Sequence, residues 1–306
     1  MDNRIMIGTW AWGTGSNGSG MVFGNRQDPK ALAASFKEAV KAGFLKWDTA
    51  AVYGMGTCET FLGKLIKKHD DIFISTKYFP KKKFRSGELT KSLNESLNRL
   101  GREHADLFWL HVPNNLNENL EEAVPHIKSG KIKNIGVSNV SLEHIKQAEA
   151  FLEKRGLKLA AVQNHFSILR NNQQKIIDYC NSKGIEYYAY MVLEQGALSG
   201  NYSADKHFPT FSMRNLLFSK CKFKKIESLL DKMNEIAVKL KVDRSQIPIL
   251  WVMGKGAIPI VGITKPSHAE KLAAATQVTL SEEDMIMLEA EAEKAGLCQK
   301  GTWEPQ

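Results

Sequence analysis

The sequence predicts an α/β protein built as a (β/α)8 (TIM) barrel, with an additional C-terminal helix and tail. Three observations predict it. Strand-like and helix-like segments alternate along all 306 residues. The strand candidates number eight, the count that closes a parallel barrel, and such barrels typically need about 250 residues. No Pro/Gly-rich linker interrupts the series, so residues 1–306 read as one domain. The alternative, an open doubly wound sheet, rarely uses so many evenly sized units.

The strand candidates are short apolar runs at residues 4–9, 45–48, 72–77, 105–111, 132–137, 160–163, 186–190 and 257–262. Between them, apolar residues recur about every 3.6 positions, the mark of one buried helical face. That spacing predicts helices at 29–42, 58–67, 86–100, 141–154, 173–182, 224–240 and 267–275. Asp28 caps the first, Pro29 opens it and Gly43 stops it. Ser281-Glu282-Glu283 opens the additional C-terminal helix. Residues 13–26, 113–119 and 194–218 read as loops over the mouth, the first of them glycine-rich and mobile.

Gly13, Gly15 and Gly18 match G-x-G-x-x-G after a strand. A dinucleotide fingerprint also needs a helix beginning within the motif. The run continues SGMVFGNRQDP, which is not expected to start a helix before Asp28, so the motif is set aside.

Composition excludes several classes. Hydrophobic residues make up 43% and charged residues 25%, ordinary for a globular protein with a large core. No run of about 18 apolar residues occurs, so no membrane span is expected. The start, MDNRIMIGTW, lacks a basic segment followed by a long apolar one, so a cytoplasmic location is expected. Cys58, Cys180, Cys221 and Cys298 are widely spaced and read as free thiols. The net charge of +9 comes mostly from dispersed lysines. Its densest cluster, Lys81-Lys82-Lys83-Phe84-Arg85, has no nucleic-acid motif beside it and reads as a solvated loop or helix start. His104, His126, His144, His165 and His207 show no ligand spacing, so no metal is assigned.

Four residues carry chemistry. Asp48, Lys77 and His111 each close a predicted strand, and Tyr53 follows Asp48 in the next loop. Catalytic residues of a barrel gather where strands end. A phenol is a weak acid, with a reference pKa of roughly 10. A nearby ammonium such as Lys77 lowers that value, and a buried carboxylate such as Asp48 holds the ammonium in place. Tyr53 then hands a proton to a carbonyl oxygen that His111 orients. Singly, each residue has a plainer reading: a turn cap, a snorkelling lysine, a core aromatic, a satisfied buried histidine. Their joint placement favours catalysis. Trp10 and Trp109 either line the pocket or fill the barrel, Met191 packs, and Trp303 either covers the mouth or frays.

At this point the sequence resembles the aldo-keto reductase superfamily over nearly its whole length. The resemblance rests on Gly8-Thr9-Trp10, Asp48-Thr-Ala-x-x-Tyr53-Gly, Lys77, His111, Ile135-Gly-Val-Ser-Asn139, Gln163-Asn164, Tyr190 and Ile258-Pro-Ile-Val-Gly262. It implies a barrel that binds NADP(H), less often NAD(H), extended across the mouth. Tyr53 is then the proton donor, tuned by Lys77 and Asp48, with His111 positioning the carbonyl. Ser138, Asn139 and Gln163 match residues that hydrogen-bond the nicotinamide carboxamide, and Tyr190 matches the ring that stacks on it. Thr9 and Trp10 border the same site. The loop with Leu193, Gln195, Gly196 and Leu198 matches the one that cradles the pyrophosphate. Gly262, Thr264, Lys265 and His268 match the segment that reads the adenosine end.

The match has departures. Met191-Val192-Leu193 replaces the usual Ser-Pro-Leu. His268 stands where arginine is common and Leu272 where asparagine is common, which touches the adenine contacts. The reading implied is an NADPH-dependent reductase of aldehydes or ketones, with NADH as the alternative cofactor. Its partner is a small carbonyl substrate, not nucleic acid or membrane, and it is a monomer or weak oligomer. A rival is a cofactor-binding sensor or regulatory subunit of the same fold. Another is a barrel lyase using Lys77 as a Schiff base.

Overall fold

The computed structural model describes residues 4–297. Eight parallel strands close on themselves in chain order. They are β1 (Met6–Gly8), β2 (Lys46–Asp48), β3 (Phe73–Tyr78), β4 (Leu107–Leu110), β5 (Ile135–Ser138), β6 (Leu159–His165), β7 (Glu186–Tyr190) and β8 (Ile258–Gly262). The barrel closes where Gly8 of β1 pairs with Gly262 of β8. Around it run α1 (Ser19–Phe23), α2 (Pro29–Lys41), α3 (Thr57–Ile66), α4 (Glu88–Leu100), α5 (Leu116–Lys128), α6 (Leu142–Glu153) and α7 (Gln174–Lys183). After β7 come α8 (Met213–Leu217), α9 (Lys220–Lys225), α10 (Glu227–Leu240) and α11 (Ile247–Gly254). After β8 come α12 (Pro266–Ala275) and α13 (Glu282–Ala295).

Most strand residues are buried, which is why the strands read as largely apolar runs, with polar residues such as Asp48, Ser75, Thr76 and Lys77 toward the mouth. The barrel interior is filled by Met6, Leu107, Trp109, Ala161 and Tyr188. Trp109 meets Tyr188 edge-on at 5.6 Å. Its ring fits only because Gly136, on the neighbouring strand, has no side chain: a Cβ there would lie 2.4 Å from the indole. Trp109 therefore fills the barrel, whereas Trp10 lines the cleft at its mouth. The outer layer packs helix faces such as Leu89, Leu93, Leu97 and Leu100 of α4 against the strands.

Five expectations need correction. Residues 194–218, expected as loop, contain α8 at Met213–Leu217. Residues 13–28 do contain a helix, the single turn α1, entered from an extended Gly18 and ended by a left-handed Gly24. Residues 113–119 are not all loop, because α5 begins at Leu116. No helix is predicted there, although Leu116, Leu120, Ala123 and Val124 form a buried face and Pro125 is accommodated inside the helix. The helix expected at 224–240 is interrupted at Ile226, whose ψ of 6° ends α9 before α10 begins. Finally, α11 went unseen because Ile247 through Val252 are all buried, leaving no polar stripe to reveal a helical period. Cys298 and Trp303 lie outside the described residues. Among the described residues no helix is long and apolar enough to cross a membrane.

Candidate active site

The strand register puts three groups at one depth. Gly8 pairs with Asp48, and Asp48 with Ser75, so the end of β2 is flanked by β1 and β3. Asp48 points into the mouth and takes three donors. Lys77 Nζ donates to Oδ2 at 2.5 Å, Ser75 Oγ to Oδ1 at 2.6 Å, and Gln163 Nε2 to Oδ1 at 3.4 Å. Lys77 Nζ also donates to the Thr49 carbonyl at 2.8 Å, and its side chain is fully buried. Burial pulls the Lys77 ammonium below its usual range while Asp48 opposes the pull. An ion pair this deep persists only where hydrogen bonds complete both partners.

Tyr53 opens the short turn Tyr53–Gly56 after β2, its N–H donating to Ala50 O at 3.1 Å. Gly54 makes the turn feasible. It sits at φ +56°, and a Cβ there would meet Thr57 Oγ1 at 2.3 Å and Thr14 O at 2.7 Å. Trp10 stacks on the Tyr53 ring at 5.8 Å, and His111 meets it edge-on at 6.1 Å. Lys77 Nζ lies 5.0 Å from the ring centroid.

The expected direction of the Tyr53 shift is reversed. The phenol is pushed well above its usual value, first by burial, then by Asp48, Cys58 and Tyr190. Asp48 already holds the Lys77 ammonium, so the pair presents little net positive charge to the phenol. Tyr53 is thereby kept as the neutral acid, the form able to give up a proton. His111 follows β4 directly and is held well below its usual pKa by burial and then by Lys77, so its imidazole is neutral. Its Nδ1 is buried without a hydrogen-bond partner.

Beside this floor, Tyr190 donates to Asn139 Oδ1 at 2.6 Å, and Asn139 Nδ2 donates to His111 O at 2.8 Å and to Ser138 Oγ at 3.2 Å. Asn139, at φ +58°, thus ties three strand ends together. Sequence reading did not find what lies behind Tyr190. His165 stacks on that ring at 5.5 Å and bonds Glu194 Oε1 at 2.8 Å, and Ser167 Oγ donates to the same carboxylate. The signal was faint: a histidine and an acid on successive barrel strands and loops. Met191, Glu194 and Gln195 all have positive φ, so this loop is held in a strained path by these contacts.

A cleft of about 1410 Å³ runs from Tyr53 and His111 past Asn139, Gln163 and Tyr190 to Thr264, Lys265 and His268. Of the residues singled out in the sequence, Trp10, Leu193, Gln195, Gly196 and Gly262 also line it. Thr9, Ser138 and Leu198 lie behind its wall, fully buried. Thr9 Oγ1 donates to Asp48 O at 2.8 Å, so its hydroxyl supports the floor. Lys77, likewise buried, is bonded to Asp48 and does not line the cleft.

At the far end, His268 Nδ1 accepts from Thr264 N at 3.3 Å, and burial, Lys265 and Lys271 keep the ring below its usual pKa. Lys271 is paired with Asp243 at 2.5 Å. Sequence reading missed Asp243, Arg244, Gln246 and Lys271 as cleft residues, because they lie between or within helices and carry no motif. Among the described residues no group of three or more His, Cys, Asp or Glu could hold a metal ion.

The cleft has the polarity a dinucleotide needs. The Gln195 Oε1 acceptor and the Arg214 and Arg244 Nε donors are buried on its walls without partners. Such orphaned groups are costly unless a ligand completes them.

Comparison with known proteins places this geometry. The model of the Aldo/keto reductase family matches residues 4–293. A chloroplastic pyridoxal reductase of Arabidopsis thaliana is 30% identical, over 94% of this chain and 83% of the relative. An aldo-keto reductase of Bacillus subtilis is also 30% identical, over 92% and 87%. Among solved structures, a thermostable aldo-keto reductase in complex with epalrestat superposes with a TM-score of 0.76 at 26% identity, over 95% of each chain. A Klebsiella pneumoniae aldo-keto reductase solved with NADPH shares the fold, with a TM-score of 0.71 at 20% identity over 94% and 90%. The match along residues 4–293 and the closed eight-stranded barrel together establish that this chain belongs to the aldo/keto reductase family of oxidoreductases.

Proposed function

We propose that the protein reduces aldehydes or ketones to alcohols with NADPH. The observation that carries this reading is the meeting of Tyr53 and His111 on one cleft wall, above the buried Lys77–Asp48 pair. When bound, the cofactor supplies the hydride that adds to the carbonyl carbon. Tyr53 gives the phenolic proton to the carbonyl oxygen, so hydride and proton together make the alcohol. Neutral His111 offers a second hydrogen bond to that oxygen, and the two donors stabilise charge as it develops. Lys77 and Asp48 hold the local charge balance beneath the phenol, and the proton that restores the phenol after transfer comes from solvent. The Tyr190 ring, fixed by Asn139 and His165, provides the surface for the nicotinamide, with Gln163 beside it as a carboxamide partner.

At the other end, exposed Lys265 and the Thr264 hydroxyl favour a 2′-phosphate, which adds about −1.5 to −2 charge at pH 7. His268 contributes little, being neutral and bonded to the backbone. Around Tyr53 the wall is apolar and aromatic: Trp10, Phe23, Val52 and Phe79. That favours a small aromatic carbonyl over a free sugar, and the pyridoxal reductase among the relatives is named for such a substrate.

Steady-state assays of the full chain test the reading, with aromatic aldehydes, aliphatic ketones and sugars against NADPH and NADH separately. The expected result is cofactor oxidation with aromatic aldehydes, faster with NADPH. Tight cofactor binding with no turnover on any carbonyl would instead make the chain a cofactor-binding sensor.

A further inference from the structure

We infer that Arg244 clamps the diphosphate bridge of the dinucleotide, a role that rests on the cofactor reading above. Arg244 begins the turn Arg244–Gln246, which is held from both sides. Asp243 caps the turn through Ser245 N at 3.0 Å, and Gln246 Oε1 accepts from Asp243 N at 2.5 Å. Gln246 Nε2 then donates to Lys271 O, joining the turn to α12. The backbone beneath Arg244 is therefore fixed between the end of α10 and α12.

From this base the side chain reaches the opposite loop. Its Nε, Nη2 and Cζ lie 2.9, 3.0 and 3.2 Å from the point where a Cβ would stand on Gly200. Gly200 has φ +88°, and only a glycine lets the planar guanidinium rest on the chain there. Both residues line the cleft. Gly200 closes the run that begins at Leu193 and includes the orphaned Gln195 Oε1. The guanidinium thus lies against Gly200 on the wall of the cleft that Thr264, Lys265 and His268 also line.

It does so without a partner. Among the described residues the Arg244 side chain makes no ion pair or hydrogen bond, and its Nε is buried and unsatisfied. The nearby acids do not supply one. Asp243 is committed to Lys271 and Ser245, and Asp231 attracts the guanidinium only at a distance. Arg214, the other arginine on this wall, already donates to Gln195 O at 3.3 Å and Tyr202 OH at 2.9 Å. A fork of donors held over bare backbone fits an anion with several oxygens, and diphosphate oxygens provide the bidentate geometry.

The test is binding, measured by quenching of tryptophan fluorescence, in the wild type and in Arg244→Leu. Four probes separate the phosphates: NADPH, NADH, ADP, which carries only the diphosphate, and adenosine 2′-monophosphate, which lacks it. Arg244→Leu should weaken NADPH, NADH and ADP alike, on the order of tenfold or more, and leave adenosine 2′-monophosphate unchanged. Arg244→Lys keeps a charge without the fork and should fall between. If Arg244→Leu melts early, Arg244→Lys alone decides, by showing the same pattern at smaller size. A loss confined to NADPH and adenosine 2′-monophosphate would assign Arg244 to the 2′-phosphate and overturn the proposal. Unchanged affinities for all four probes would also overturn it, while leaving the cofactor reading intact. Failure of the wild type to bind either dinucleotide would overturn both.

Discussion

The two ends of the cleft are built differently. At the floor, Asp48 accepts from Lys77, Ser75 and Gln163, and Asn139 uses both ends of its amide. The side chains come from strands locked in register by the barrel. At the far end, the residues come from loops and helix ends, several backbones have positive φ, and Gln195, Arg214 and Arg244 keep orphaned atoms. The floor is largely satisfied without a ligand, His111 Nδ1 being its exception, whereas the far wall keeps two arginine Nε donors unpaired. Chemistry needs groups whose protonation and position are set before the substrate arrives. Binding of a dinucleotide gains from donors that only the ligand satisfies. Substitutions at the floor should therefore change turnover, and substitutions at the far end should change affinity.

The largest effect tests the floor. Tyr53→Phe removes the proton that is transferred to the carbonyl oxygen in this reading, while keeping the ring that stacks on Trp10. Turnover should fall by at least ~10²-fold, with the dissociation constant for NADPH nearly unchanged. Single-turnover kinetics with fluorescence titration measures both. A variant keeping more than half of wild-type turnover would show that the proton comes from elsewhere.

Next come the two partners of the ion pair. Lys77→Met should lower turnover on the order of 10²-fold. Asp48→Asn should lower it less, because Lys77 Nζ keeps the Thr49 carbonyl. Breaking a buried pair costs about 3–5 kcal/mol, so both variants should melt earlier than the wild type. The pH profile separates chemistry from stability. Reduction needs the protonated phenol, so it is fully active below the Tyr53 pKa and lost as pH rises through it. Burial and Asp48 raise that pKa. The alkaline limb should therefore lie above the usual phenol range in the wild type and move down in Asp48→Asn. An unmoved limb in a folded Asp48→Asn enzyme would remove Asp48 from control of the phenol.

This contrast also explains what the sequence revealed. The eight strands were legible because burial writes each as a largely apolar run, and Glu186–Tyr190 was placed to the residue. The positions of Asp48, Lys77 and His111 at one mouth followed from their places at strand ends. The hold of Asp48 on the Lys77 ammonium was expected and is seen at 2.5 Å. Not foreseen were the Thr49 carbonyl as a second acceptor for Lys77 and the upward direction of the Tyr53 shift. Ser75 became a partner of Asp48 through the β2–β3 register, which no spacing within one segment reveals. The helices α5 and α11 are not predicted, the second because burial all round leaves no polar stripe, and Arg244 stands between α10 and α11 with no pattern around it.

At the far end the expected effects are smaller and fall on affinity. Lys265 is exposed and makes no ion pair among the described residues, so Lys265→Ala removes a screened charge. It should weaken NADPH by a few-fold, the size of an exposed pair of about 1 kcal/mol. NADH, which lacks the 2′-phosphate, should be unaffected. Equal loss for both cofactors would place Lys265 against the diphosphate instead, in competition with Arg244.

The smallest effect concerns His268, which stands where an arginine would read the phosphate in the family pattern. Its Nδ1 already accepts the Thr264 N–H, and Lys265 and Lys271 add to burial in keeping the ring neutral. A histidine whose folded pKa is depressed gains no proton at neutral pH, so it brings no charge to the 2′-phosphate. His268→Gln preserves an acceptor for Thr264 and should leave the ratio of NADPH to NADH affinity within about twofold of wild type, well below the 1.4 kcal/mol that a tenfold change represents. Fluorescence titration at pH 7 and pH 8 should give the same ratio in the variant and the wild type. A selective weakening of NADPH in His268→Gln, larger at pH 7 than at pH 8, would mean that the bound phosphate protonates the ring. The far wall would then be completed by the ligand through proton uptake as well as through its unsatisfied arginine.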